Sequence, residues 1–127
     1  MPKYRVLLVD DNPMVRRIVR QVLEKDPELN ICGEADDGFE AMEKAKLLEP
    51  DIVVLDFSMP RMNGLVAASR LRVVLPDACL ILFTLYGNPE VERAAKQAGI
   101  DAVISKADRG DALVKAANAF FGWASPV

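Results

Sequence analysis

The chain contains no histidine. That absence excludes a Ser-His-Asp triad, a Cys-His pair, an HExxH zinc site and any phosphohistidine formed on this chain. Cysteine is nearly as scarce: Cys32 and Cys79 are too few and too far apart for a zinc cluster. Both stand in apolar surroundings, which predicts two buried small hydrophobes. Basic excess is missing as well. With 16 Lys and Arg against 19 Asp and Glu, the net charge of −3 gives no bulk attraction to nucleic acid or to an anionic membrane. No run of about 18 apolar residues could span a bilayer. The opening MPKYRVLLVDD lacks the apolar segment and cleavage site of a signal peptide. Together these absences predict a cytoplasmic chain. Its chemistry is left with carboxylates, Ser and Thr hydroxyls, lysines or a hard metal ion.

What is present fits one ordinary domain: 127 residues, 51% of them apolar and 28% charged, a globular balance and not a disordered one. Short apolar runs alternate with longer segments of helical period. The runs are Tyr4 to Val9, Leu29 to Ala35, Asp51 to Leu55, Cys79 to Thr84 and Asp101 to Ser105. Three are nearly continuous in Val, Ile and Leu, as in strands buried on both faces of a parallel sheet. Between the first two runs, Val15, Ile18, Val19, Val22 and Leu23 form one helical stripe, with Asn12 as N-cap and Pro13 as first helical residue. Helices are predicted over Gly38 to Leu48, with Ala41, Met42, Ala45 and Leu48 inward, and over Gly64 to Val74. A fourth runs from Pro89 to Ala98, with Gly99 as its C′ glycine. The last, opened by Asp108 or Asp111, buries Leu113, Ala116, Ala117 and Phe120, whereas Phe121 and Trp123 are candidates for an exposed partner or dimer face. The repeated βα unit predicts a single α/β domain, a doubly wound parallel sheet over residues 1–123 followed by a short tail, 124–127.

In such a sheet, ligands bind beyond the carboxyl ends of the strands. The first strand ends in Asp10 and Asp11, the third in Asp56, the fourth in Thr84, and Lys106 follows the fifth. Taken singly, each reads as a turn, cap or surface residue. Together they converge on one sheet edge. Asp36 and Asp37, after the second strand, are expected to stay apart from them. Clustered carboxylates repel unless a cation intervenes, and a hard divalent ion such as Mg2+ suits oxygen ligands. Asp56 could then be a carboxylate nucleophile toward a phosphoryl group, with Lys106 and Thr84 on the phosphoryl oxygens. Arg16, Arg17 and Arg20 read as a solvated helix face.

The strings VLLVDDNPMVRR and DIVVLDFSMPRMNG, the Thr closing LILFT and the Lys after DAVIS resemble the receiver domain of response regulators in two-component signalling. The likeness runs from about Lys3 to Phe121. It implies a flavodoxin-like fold of five strands in the order 2-1-3-4-5 with five helices. It implies Asp56 as phosphoacceptor, Asp11 as a direct Mg2+ ligand, Asp10 acting largely through water, and the Ser58 carbonyl completing the set. Thr84 would be the switch hydroxyl and Lys106 the cation paired with the phosphoryl group. The donor would be a phosphohistidine on a sensor histidine kinase or phosphotransfer protein, docking near Met14, Val15 and Ile18. Output would pass by protein contact or through a domain absent from this chain, with the receiver a monomer or a weak, phosphorylation-dependent dimer.

Two positions depart from the family pattern. Val103 stands where an aromatic residue often couples to the switch hydroxyl, and Ala107 follows the lysine where proline is usual. Reversing a 1:99 equilibrium takes roughly 5.5 kcal/mol. One hydrogen bond to a charged group supplies roughly 1.5–3 kcal/mol. Thr84 and Lys106 therefore need to act together, and Tyr86 is a candidate for the missing ring. Ser58 and Tyr86 also flank the expected path of the hydrolytic water. Two rival functions fit parts of the same sequence. A degenerate receiver would bind partners without phosphorylation, a reading that Val103 and Ala107 keep open. An aspartyl-nucleophile phosphohydrolase would need a second Asp where Ser58 stands, and a cap insertion.

Overall fold

The computed structural model describes residues 4–85, 87–108 and 111–122. Tyr86, Trp123 and the tail 124–127 lie outside the described residues, and with them the expectations placed on them. Strands β1 (Tyr4–Val9), β2 (Leu29–Ala35), β3 (Ile52–Leu55), β4 (Cys79–Thr84) and β5 (Ala102–Ser105) alternate with helices α1 (Pro13–Leu23), α2 (Gly38–Leu48), α3 (Gly64–Val74), α4 (Pro89–Gln97) and α5 (Asp111–Phe121). The strands form one parallel sheet in the order β2-β1-β3-β4-β5.

Alternation along the strands divides the core in two. Leu7, Val9, Val53, Leu55, Leu80 and Leu82 face α2, α3 and α4, where Ala41, Ala45, Ala67, Leu71 and Ala95 meet them. Val6, Leu8, Ile52, Val54, Ile81 and Phe83 face α1 and α5, through Val19, Leu23, Leu113 and Ala117. Parallel strands buried on both faces thus read as continuous apolar runs because each face has its own helical layer.

Local chemistry sets the element ends. Asn12 accepts hydrogen bonds from the Met14 and Val15 N–H groups, with Pro13 opening α1. Asn63 caps α3 and Asn88 caps α4 in the same manner. Asp37 caps α2 by accepting from Glu40 N–H at 2.8 Å. Gly99, at φ +93°, turns the chain out of α4. The third and fifth strands begin one residue later than the apolar runs predict. Asp51 and Asp101 instead turn their carboxylates onto the neighbouring strand, accepting from Arg5 N–H at 2.9 Å and from Leu80 N–H at 2.8 Å. A short 3-10 turn, Lys106–Asp108, separates β5 from α5, so Asp111 and not Asp108 opens that helix.

Four expectations about packing change. Phe121, not Phe120, packs into the core: it stacks on Tyr4 at 4.3 Å between ring centroids, while Phe120 is exposed. Ile18 is exposed at the edge of the α1 stripe. Cys32 is only partly buried. It is the extra residue of a bulge opposite Val6 and Leu7, and its thiol lies 3.4 Å from the Val6 carbonyl. Arg16 is no member of a solvated face; only 14% of its side chain is exposed. Cys79 is buried as expected, and burial pushes its thiol up to about 12.

Candidate functional site

β1 and β3 are neighbours at the centre of the sheet, and the chain leaves β1 toward β2 on one side before returning to β3 on the other. Their carboxyl ends therefore open at the crevice where such folds hold ligands. Asp10 and Asp56 extend these two strands. Asp10 N–H donates to Ala35 O at 3.1 Å, and Asp56 N–H to Val9 O at 2.9 Å. Each carboxylate is nearly closed off from solvent, at 6% exposure. Asp11, the next residue after β1 and Asp10, is exposed. Ligand atoms of Asp10, Asp11 and Asp56 all lie within 4.8 Å of one another.

A lysine from the far end of the chain enters this cluster. Lys106 Nζ stands 3.0 Å from Asp10 Oδ2 and 3.2 Å from Asp56 Oδ1. The other Asp10 oxygen accepts from Asn12 N–H at 2.9 Å. Burial raises the Asp56 carboxyl above the ordinary carboxylate range, and the Asp10 charge raises it further; Lys106 and the Ser58 backbone N–H pull the other way. Burial alone would lower the Lys106 ammonium, but Asp10 and then Asp56 more than offset it, so Lys106 titrates above its usual range and stays charged.

Thr84 ends β4, fully buried, in register with Ser105, the residue before Lys106. Ser58 is exposed in the β3–α3 loop, two residues beyond Asp56. Gly64 allows that loop to close over β3, its N–H donating to Phe57 O at 2.8 Å. Asp36 and Asp37 are engaged elsewhere, in ion pairs with Arg16 and Arg61. Val103 borders an open groove of about 820 Å³ shared with Arg72, Lys96 and Phe120. Ala107 is exposed, its N–H bonded to Ser105 Oγ at 3.1 Å.

The sequence reading missed two charged ties beside the site. One is Arg61, a non-glycine residue at φ +68° in the β3–α3 loop, which pairs with the buried Asp37. The other is Arg16, whose guanidinium bonds Glu34, Asp36 and the Asp10 carbonyl. Its signal was present in part. Arg16 and Arg20 are spaced four apart on one flank of the apolar stripe, but only the position of β2 beside β1 puts Glu34 opposite them.

Comparison with known proteins agrees with this arrangement. Residues 6–118 match the family described as response regulator receiver domain. The chain belongs to that family, the receiver domains of response regulators in two-component systems. It is 39% identical over 109 residues to a protein-glutamate methylesterase/protein-glutamine glutaminase of Pyrococcus horikoshii, covering 85% of this chain and 27% of that protein. It is 34% identical over 111 residues to the nitrate/nitrite response regulator protein NarL of Escherichia coli, covering 87% of this chain and 51% of that protein. The chain thus spans from about a quarter to about half the length of these relatives. The signal receiver domain of the putative response regulator NarL from Mycobacterium tuberculosis superposes with a TM-score of 0.82 at 32% identity, covering 93% of this chain and 98% of that one. The response regulator domain of Thermotoga maritima CheB gives a TM-score of 0.82 at 26% identity, covering 93% and 96%. No helix among the described residues is long and apolar enough to cross a membrane.

Proposed function

We propose that this receiver accepts a phosphoryl group on Asp56 from a phosphohistidine of a sensor kinase or phosphotransfer protein, with Mg2+ as its cofactor. The observation that carries this reading is the Lys106 ammonium lodged between the Asp10 and Asp56 carboxylates, beside the exposed Asp11. The three carboxylates fit a hard cation: they are oxygen donors, close together, and one of them is already strained toward its neutral form by burial and by its neighbour. Asp10, Asp11, Asp56 and the Ser58 carbonyl would hold Mg2+, which supplies positive charge that offsets carboxylate and phosphoryl repulsion.

The remaining chemistry belongs to the chain's own groups. An Asp56 carboxylate oxygen bonds to phosphorus as the donor's P–N bond breaks; the electron pair leaves on the imidazole nitrogen, which takes up a proton. The Lys106 ammonium and the Thr84 hydroxyl hold the phosphoryl oxygens, replacing the contact that Lys106 makes with Asp56 before transfer. Exposed Met14 and Ile18 at the start of α1 lie on the same edge and suit an apolar contact with the donor protein. Self-phosphorylation and its reversal are the only catalysis assigned to this chain. Output passes to a protein partner or to a domain beyond it, and the action takes place in the cytoplasm.

The test is intact mass after incubation with Mg2+ and a small acyl-phosphate or phosphoramidate donor. A labile gain of about 80 Da is expected, absent without Mg2+ and absent in Asp56→Asn. No gain from a folded chain that binds Mg2+ would assign it instead to phosphorylation-independent binding.

A further inference from the structure

Arg16 reaches from α1 to two other segments of the chain. Its Nε donates to Glu34 Oε1 at 2.9 Å, and its Nη1 lies 2.7 Å from Asp36 Oδ1. The same nitrogen donates to the backbone carbonyl of Asp10. That carbonyl belongs to the peptide unit leading into Asp11. The next unit is fixed too, because Asn12 N–H donates to Asp10 Oδ1 at 2.9 Å. Asp11 is therefore pinned through its backbone on both sides. Its exposed carboxylate, by contrast, makes no hydrogen bond or ion pair with another described residue. The Cα–Cβ direction from which that carboxylate extends is set by the peptide planes around it, and Arg16 holds one of them.

We infer that Arg16 is a positioning residue for the cation site: by holding the Asp10–Asp11 peptide it aims the Asp11 carboxylate at the space shared with Asp10 and Asp56. The inference rests on the cation-binding reading above. Charge and positioning make opposite predictions here. A guanidinium beside a divalent-cation site repels the cation, so its removal would tighten binding if charge alone mattered. If Arg16 aims Asp11, its removal weakens binding.

The deciding experiment titrates Mg2+ alone, by calorimetry, into the wild-type chain, Arg16→Gln, Arg16→Lys and Glu34→Gln, with folding checked by circular dichroism. Arg16→Gln is expected to bind Mg2+ roughly tenfold more weakly, the range seen when an outer partner of a metal ligand is lost. Arg16→Lys can keep one donor on the carbonyl, so its loss is smaller and of the same sign; it carries the test should Arg16→Gln unfold. Glu34→Gln loosens the tie to β2 but leaves the carbonyl contact, and Mg2+ binding stays near wild type. The rate of phosphorylation in Arg16→Gln then falls at limiting Mg2+ and recovers at saturation. Unchanged or tighter Mg2+ binding in the Arg16 variants overturns the inference. An equal loss in Glu34→Gln also overturns it, because that marks a general loosening of α1. A wild-type chain that binds no Mg2+ removes the underlying reading itself.

Discussion

A methyl group added at Gly64 would stand 2.2 Å from the Asp56 carbonyl oxygen and 3.0 Å from both the Asp56 carbonyl carbon and Leu82 Cδ1. None of these atoms can step aside cheaply. Asp56 is tied to β1 through its N–H, and Leu82 is fully buried. Gly38 offers a contrast: a Cβ there meets Met62 Sδ at 2.5 Å, the far end of a flexible thioether. Gly64→Ala is therefore expected to destabilise the fold by about 2–3 kcal/mol, the upper part of the overpacking range. Gly38→Ala, which also gains helix propensity, should lose clearly less. Denaturant unfolding of both variants checks the order. Gly64→Ala should in addition slow phosphorylation, because the displaced loop carries Asp56 and Ser58. Equal stability of the two variants would show that the β3–α3 loop yields more readily than its backbone contacts indicate.

Charge ties α1 to the edge strand β2 in addition to the apolar packing of Leu29 and Ile31 with Val19 and Leu23. Glu34 holds Arg16 at 2.9 Å and Arg20 at 2.8 Å, and Arg20 also pairs with Glu24 one turn on. Burial raises the Glu34 carboxyl, but the bonds from Arg20 and then Arg16 outweigh it, holding the group below its ordinary value of 4.5. A carboxylate depressed in this way contributes stability above its unfolded pKa, and that contribution is lost as pH falls through the folded value. Glu34→Gln should thus unfold about 1 kcal/mol more easily than wild type at pH 7, the scale of a partly exposed ion pair. At about pH 3 the deficit should be smaller than at pH 7, because below the unfolded value the contribution is lost as pH falls through the lower folded one. Urea unfolding at the two pH values measures it. A deficit undiminished in acid would assign the contact to side-chain packing.

Across the whole molecule, sequence and structure agree wherever one periodicity settles the matter. The parallel sheet and the convergence of Asp10, Asp56, Thr84 and Lys106 follow from five βα units, because parallel strands send all their carboxyl ends to one edge, whereas the order β2-β1-β3-β4-β5 was implied only by the family resemblance. What depends on how two elements meet was not legible. Phe120 and Phe121 lie at i+3 and i+4 from Ala117, and only the Tyr4 ring beneath α5 selects Phe121. Arg16 looked solvated because Glu34 is eighteen residues away and is brought opposite only by the crossover to β2. The buried carboxylates of the site also bear on stability. Asp56 is buried beside the Asp10 charge, which disfavours its ionised form. Without Mg2+, Asp56→Asn should melt a few degrees above wild type, since it removes that repulsion while Lys106 keeps Asp10. Mg2+ binding only the native state adds about 2.7 kcal/mol of stability at a hundredfold excess over its dissociation constant. Wild type gains this, and Asp56→Asn, lacking a ligand, gains much less. The two melting curves should approach or cross as Mg2+ rises and separate again with chelator. Parallel shifts in both proteins would place the cation away from Asp56, and a lower melting point for the variant without Mg2+ would show that the Lys106–Asp56 attraction exceeds the Asp10–Asp56 repulsion.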